Sequence, residues 1–223
     1  MNFVAKKILE HKLVEEDRKY IVPHFPGGVV TADDLHKIVG ICAQFPEIKL
    51  KLSGEIIIGG MKEETRNKEC RRMLGLATQR IAGFSIRPVK ICAGGYLCAN
   101  NLQDSFSLGI KLDEIFCGRK LPFKMIISIS GCSRSCSEPR VKDIGIVANR
   151  HGYSIFIGGA AGAKPRIAQK LIDNVKAEEV IAFVERIVKF YEEKGKIPER
   201  LGIFVEKMGF DKFKEECGIG KQE

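Results

Sequence analysis

The stretch SISGCSRSCSEPR, residues 128–140, runs an apolar–polar alternation into a glycine, then sets two cysteines four positions apart before a proline. The alternation begins earlier, at FKMIISIS. Met125, Ile127 and Ile129 share one face and Lys124, Ile126, Ser128 and Ser130 the other, the period-two pattern of a strand. Gly131 ends the strand, and the loop that follows carries Cys132 and Cys136. Upstream, RPVKICAGGYLCANN (87–101) holds Cys92 and Cys98 around a Gly-Gly pair, with 33 residues between the two cysteine pairs.

Four thiols from two loops suit a 4Fe–4S cluster, which takes one thiolate per iron. Structural zinc sites usually pair cysteines two to four residues apart, and the five-residue gap between Cys92 and Cys98 is looser. Spacing alone leaves three readings open: a cluster, a zinc site, or separate core and surface thiols. The chain has eight cysteines and no signal-peptide pattern at its start, which favours metal or redox chemistry over disulfides and predicts a cytoplasmic protein. No apolar run approaches the roughly 20 residues of a membrane span. The formal net charge of +9 predicts an anionic partner. With no Trp and no dense Lys/Arg block, an anionic substrate, cofactor or acidic protein fits it as well as nucleic acid does.

Around the cysteines the chain reads as two α/β parts. Residues 1–19 form a charged arm. RKYIVPHFPGG is a strand closed by a turn, and TADDLHKIVGICAQF is a helix capped by Thr31, with Leu35, Ile38, Val39 and Cys42 on its apolar face. IKLKLSGEIIIGG is one strand broken at Gly54 or a tight hairpin, and KEETRNKECRRMLGL is a polar helix. The second part has a helix near 103–117, strands at IGIVA and YSIFIGG, and the strongest helix at AEEVIAFVERIVKFYEEKGK. There Val180, Val184, Ile187 and Tyr191 form the stripe. Pro198 is expected to open a last helix.

The double motif C-x5-C … S-G-C-x3-C, behind a strand, resembles the sulfite and nitrite reductase haemoprotein family. FPGGVVTADDLHKIV, DIGIVA and IFIGGAAGAKPRIAQKL extend the resemblance over roughly residues 20–215, most like the small sulfite reductases of anaerobes. It implies an α+β fold, with a ferredoxin-like half-domain at 20–85 followed by a sirohaem and 4Fe–4S domain at 86–223. It implies that Cys92, Cys98, Cys132 and Cys136 ligate the cluster, and that Cys136 bridges to the sirohaem iron. Arg87 and Lys124 match cations of the family's anion pocket. Arg134, Arg140, Lys164 and Arg166 are candidates for the carboxylates of sirohaem, which gives the positive charge a use.

Two departures stand out. Ile126 occupies the place of the family's second pocket lysine, and LKLSGEIII lacks the arginine usual in the first module. The implied activity is six-electron reduction of sulfite to sulfide. Nitrite reduction to ammonium at the same centre is an alternative, as is a non-catalytic iron–sulfur electron carrier. A zinc-stabilised nucleic-acid-binding domain is favoured only by the charge. The implied partners are a small anion and an external one-electron donor such as ferredoxin, because no Gly-x-Gly-x-x-Gly dinucleotide fingerprint is present. Nucleic acid and membrane are not expected partners. The chain resembles one half of the larger family members, which implies a two-fold homodimer. Cys70, Cys117, Cys217 and the four histidines receive no role.

Overall fold

The computed structural model describes residues 20–52, 54–60, 64–75 and 83–219, and the expected N-terminal arm lies outside them. The chain divides into two compact units, Met1–Gly83 and Phe84–Glu223.

In the first unit, β1 (Tyr20–Ile21), β2 (Lys49–Leu52) and β3 (Ile56–Gly59) form an antiparallel sheet in the order β1-β3-β2, with α1 (Ala32–Gln44) and α2 (Glu64–Leu74). The IKLKLSGEIIIGG segment is therefore a hairpin, and Leu50 pairs with Ile58. Thr31 caps α1 as expected. Its hydroxyl accepts the Asp34 amide, and the Asp34 carboxylate accepts the Thr31 amide in return. The buried face of α1 differs from the expected stripe. Ile38 and Ile41 enter a core with Ile21, Ile48, Ile58, Cys70 and Leu74, while Leu35 and Val39 stay 49% and 60% exposed. Burial selects the 38/41 edge of a wide apolar arc. Cys42 packs against this core while half-buried, and its desolvation pushes the thiol pKa up.

The second unit is built on a five-stranded sheet in the order β4-β5-β6-β7-β8. Its strands are β4 (Lys90–Ile91), β5 (Ile127–Ser130), β6 (Ile144–Asn149), β7 (Gly152–Ile157) and β8 (Gln169–Val175). The first three run parallel and the last three antiparallel. Alternation gives the sheet two different faces. On one, Ile127, Ile129, Ile144, Ile146, Tyr153, Ile155 and Ile157 build the main core with four helices. These are α3 (Ser105–Phe116), α4 (Ala177–Lys194), α5 (Leu201–Met208) and α6 (Phe210–Glu216). The stripe on α4 is as read from its period: Val180, Val184, Ile187, Val188 and Tyr191 are all fully buried. Pro198 does not open a helix, because α5 begins at Leu201 with Arg200 as its N-cap. Cys217 is a core residue, and burial pushes its thiol to about 11.

The opposite face is also buried, with fewer apolar residues. Val147, Phe156 and Ala168 form a small apolar cluster there. The cysteine loop lies directly on the strands beside it. A Cβ on Gly145 of β6 would stand 2.2 Å from the Pro139 carbonyl oxygen, so glycine is required where the loop touches the sheet.

Candidate functional site

Parallel pairing of β4 and β5 brings the two cysteine motifs together. Ile91 is in register with Ile129, so Cys92 and Gly131-Cys132 leave adjacent strand ends side by side. The Cys92 amide extends the ladder to the Ile129 carbonyl at 3.1 Å, and the Gly131 amide donates to Cys92 Sγ at 3.2 Å. Cys98 closes a 3-10 turn (Gly95–Leu97), and the chain just beyond it is tied back by the Leu102 amide donating to the Gly131 carbonyl at 2.8 Å. α3 starts there. The carboxylate of its N-cap, Asp104, accepts the Ser107 amide at 3.0 Å, which holds its pKa below the ordinary value.

Cys136 is placed by its neighbour. Ser137 accepts the Ser128 hydroxyl on its carbonyl (2.7 Å), donates its amide to Ser130 Oγ (3.3 Å) and donates its hydroxyl to the Ile129 carbonyl (2.7 Å). The two serines on the polar face of β5 thus anchor the loop that carries the fourth thiol. Ser135 and Glu138 turn the loop at φ of 54° and 57°. All four cysteines are free thiols, three half-buried and Cys136 exposed.

Arg87 and Lys124 also come together. Ile86 and Met125 form a parallel bridge, and the Arg87 amide donates to the Met125 carbonyl at 2.9 Å. Arg87 is 9% exposed. Burial pushes the Lys124 ammonium below its ordinary pKa, Arg200 and then Arg87 add to this, and Asp143 opposes it. The four candidates for sirohaem carboxylates are more dispersed. Arg134 is exposed in the cysteine loop. The Arg140 guanidinium lies 4.0 Å above the Phe156 ring. Lys164 is exposed in the turn closed by the Ala160–Arg166 bridge, and Arg166 forms an ion pair with Glu206 at 3.0 Å.

Sequence reasoning missed Ser128, Ser130 and Ser137, Asn101 and Ser105 beneath the cysteine loops, and Asp143 with Arg200. Of these only Ser128 and Ser130 had a signal, since the period-two pattern puts them on one face of the strand.

The family described as the nitrite and sulphite reductase 4Fe-4S domain matches residues 82–222, and the chain belongs to it. It is 30% identical over 200 residues to the assimilatory-type sulfite reductase of Nitratidesulfovibrio vulgaris, covering 87% of this chain and 90% of that protein. It is equally 30% identical over 183 residues to the NADH nitrite reductase large subunit of Escherichia coli, of which it spans 22%. The solved structure of Mycobacterium tuberculosis NirA has the same fold, with a TM-score of 0.77 at 19% identity over 94% of this chain and 42% of that one.

The chain is thus an oxidoreductase of the 4Fe–4S and sirohaem type, and the site suits the cluster. The four thiols are the soft donors a cluster takes, and the Gly131 amide already points at one of the sulfurs, an arrangement that stabilises thiolate.

Proposed function

We propose that the chain reduces sulfite to sulfide, with the relatives above as support and the register that joins Cys92 to Cys132 as the structural observation that carries it. Cys92, Cys98, Cys132 and Cys136 would hold the cluster, and Cys136, the most exposed, would face the sirohaem iron. Arg134, Arg140, Lys164 and Arg166 would meet the macrocycle's carboxylates. When bound, the pair of cofactors supplies single electrons to an anion at the haem iron. The chain's own residues supply charge and protons. Arg87 and Lys124 draw the anion in and neutralise it, and Lys124 donates protons to departing oxygen, a role suited by an ammonium pKa below its usual value.

Residues 20–85 serve in this reading as the ferredoxin-like half-domain and 86–223 as the cofactor domain. The electron donor is a separate one-electron carrier such as ferredoxin. The chain acts in the cytoplasm, as a two-fold dimer. No helix among the described residues is long and apolar enough to cross a membrane.

Nitrite is the second substrate to test, because the Escherichia coli nitrite reductase large subunit shows the same 30% identity over a shorter match of 183 residues. Steady-state oxidation of reduced methyl viologen by each anion decides between them. Sulfite should give the larger kcat/KM. A larger value for nitrite reverses the assignment, and no turnover of either anion by cofactor-loaded protein leaves an electron carrier.

A further inference from the structure

Asp143, at the entrance to β6, is fully buried and binds three donors. Its Oδ1 accepts from Arg200 Nε at 2.7 Å, and its Oδ2 accepts from Arg200 Nη2 at 2.9 Å and from the Ile126 amide at 2.8 Å. The main chain tightens the same junction. The Ile144 amide donates to the Ile126 carbonyl at 3.2 Å, and the Gly158 amide to the Asp143 carbonyl at 2.9 Å. Arg200, the N-cap of α5, has a side chain only 18% exposed. Arg200 is thus tied through the Asp143 carboxylate to the amide of residue 126, two residues past Lys124, where the resemblance leads one to expect a second pocket cation.

We propose that Asp143 and Arg200 are positioning residues for Lys124: Asp143 fixes the 124–126 segment through the Ile126 amide, and Arg200 occupies Asp143 so that the Lys124 ammonium stays available to a bound anion. This inference rests on Lys124 belonging to the anion pocket.

A buried carboxylate left without its partner turns to another cation, and besides Arg200 the cation acting on Asp143 is Lys124. An Arg fork prevents this because it satisfies both carboxylate oxygens at once, which a lysine cannot do. The charged groups that act on Lys124 are Arg200 at the N-cap of α5, Arg87 beside the Ile86–Met125 bridge, and Asp143 just before β6. Asp143 and Glu199 both act on Tyr191 of α4. The Tyr191 hydroxyl donates to the Glu199 carbonyl, and the Glu199 carboxylate pairs with Lys207 at 2.6 Å. Burial pushes the Asp143 carboxyl up, and Arg200, the Ile126 amide and Lys124 oppose that shift. The signs for Lys124 follow. Removing the Asp143 charge takes away a neighbour that favours the ammonium, so its midpoint falls. Removing Arg200 deletes a repelling cation and releases Asp143, so its midpoint rises.

The test uses the full chain. Lysines are reductively methylated with 13C-formaldehyde and titrated by NMR, with the Lys124 signal identified by its loss in Lys124→Arg. In parallel, sulfite turnover of the cofactor-loaded enzyme is measured against pH. In Asp143→Asn both the Lys124 midpoint and the high-pH limb of kcat should move down. In Arg200→Gln both should move up, and kcat should fall roughly tenfold, the scale seen for groups that orient functional side chains. Arg200→Lys keeps the charge but not the fork. It should lower kcat with a smaller midpoint shift, and it serves if the glutamine variant does not fold. Unmoved midpoints and limbs in folded Asp143→Asn and Arg200→Lys, with Lys124→Ala still crippled, overturn the inference and leave the pair purely structural. Full turnover in Lys124→Ala overturns instead the pocket role of Lys124 on which the inference rests.

Discussion

Replacing Gly131 by alanine tests whether the two cysteine loops are packed as one unit. The backbone at Gly131 is outside the positive-φ region, so the cost is steric. A Cβ there would lie 1.7 Å from Asn101 Oδ1 and 2.8 Å from Ser105 Oγ. Both are side-chain atoms, but Asn101 Oδ1 accepts from Ser105 Oγ at 3.4 Å and the Ser105 side chain is buried, so neither can simply swing aside. Overpacking at such a place costs about 1–3 kcal/mol. For a chain of this length each kcal/mol lowers Tm by about 2–4 °C. Pushing the loops apart also strains the Gly131 amide's bond to Cys92 Sγ, so cluster loss should accelerate along with unfolding. The assay is thermal unfolding by circular dichroism together with the decay of cluster absorbance under air. Asn101→Ala supplies the control: combined with Gly131→Ala it removes the nearer of the two clashing oxygens and should recover part of the lost stability, a non-additive cycle. Equal Tm and equal cluster lifetime in Gly131→Ala and the parent would refute the packing.

Lys124→Ala should retain the cofactor spectrum and lose sulfite turnover by about 10²-fold, the scale of one electrostatic or proton-donating group, as read from viologen oxidation. Asp104→Ala should destabilise the chain by about 1 kcal/mol in urea titrations at neutral pH, the usual worth of an N-cap. Because the Asp104 pKa is depressed on folding, that difference is present above the ordinary carboxylate pKa and should vanish as pH falls through the lowered one. If an acidic ferredoxin is the donor, its reduction of this +9 chain should slow between about 0.05 and 0.3 M salt, and a salt-independent rate argues against charge-steered docking.

What could be read from the chain beforehand was whatever a local pattern encodes. Two-residue alternation located β5 and put Ser128 and Ser130 on one face, although the strand begins at Ile127 and Lys124 precedes it, and the 3.6-residue period of α4 named its buried stripe. The cysteine spacing and glycines pointed to the site, since a loop that must approach a cluster leaves its own signature. The first helix shows the limit. Its apolar arc is wider than the face its unit buries, so period alone named Leu35 and Val39 together with Ile38. Pro198 shows another, because a proline at a plausible N1 position also suits the turn that precedes α5. The Asp143–Arg200 pair spans 57 residues and no spacing rule connects them. Their meeting depends on how α5 packs against the sheet, which only the tertiary structure fixes.

The central claim is tested most directly by purifying the chain anaerobically, with adequate iron and sirohaem supply, and measuring its metals and visible spectrum beside those of Cys136→Ser. The account predicts about four cluster irons with matching sulfide plus one sirohaem iron per chain. It also predicts that Cys136→Ser loses the coupling between the two centres. Zinc as the sole stoichiometric metal, or a colourless protein, contradicts it.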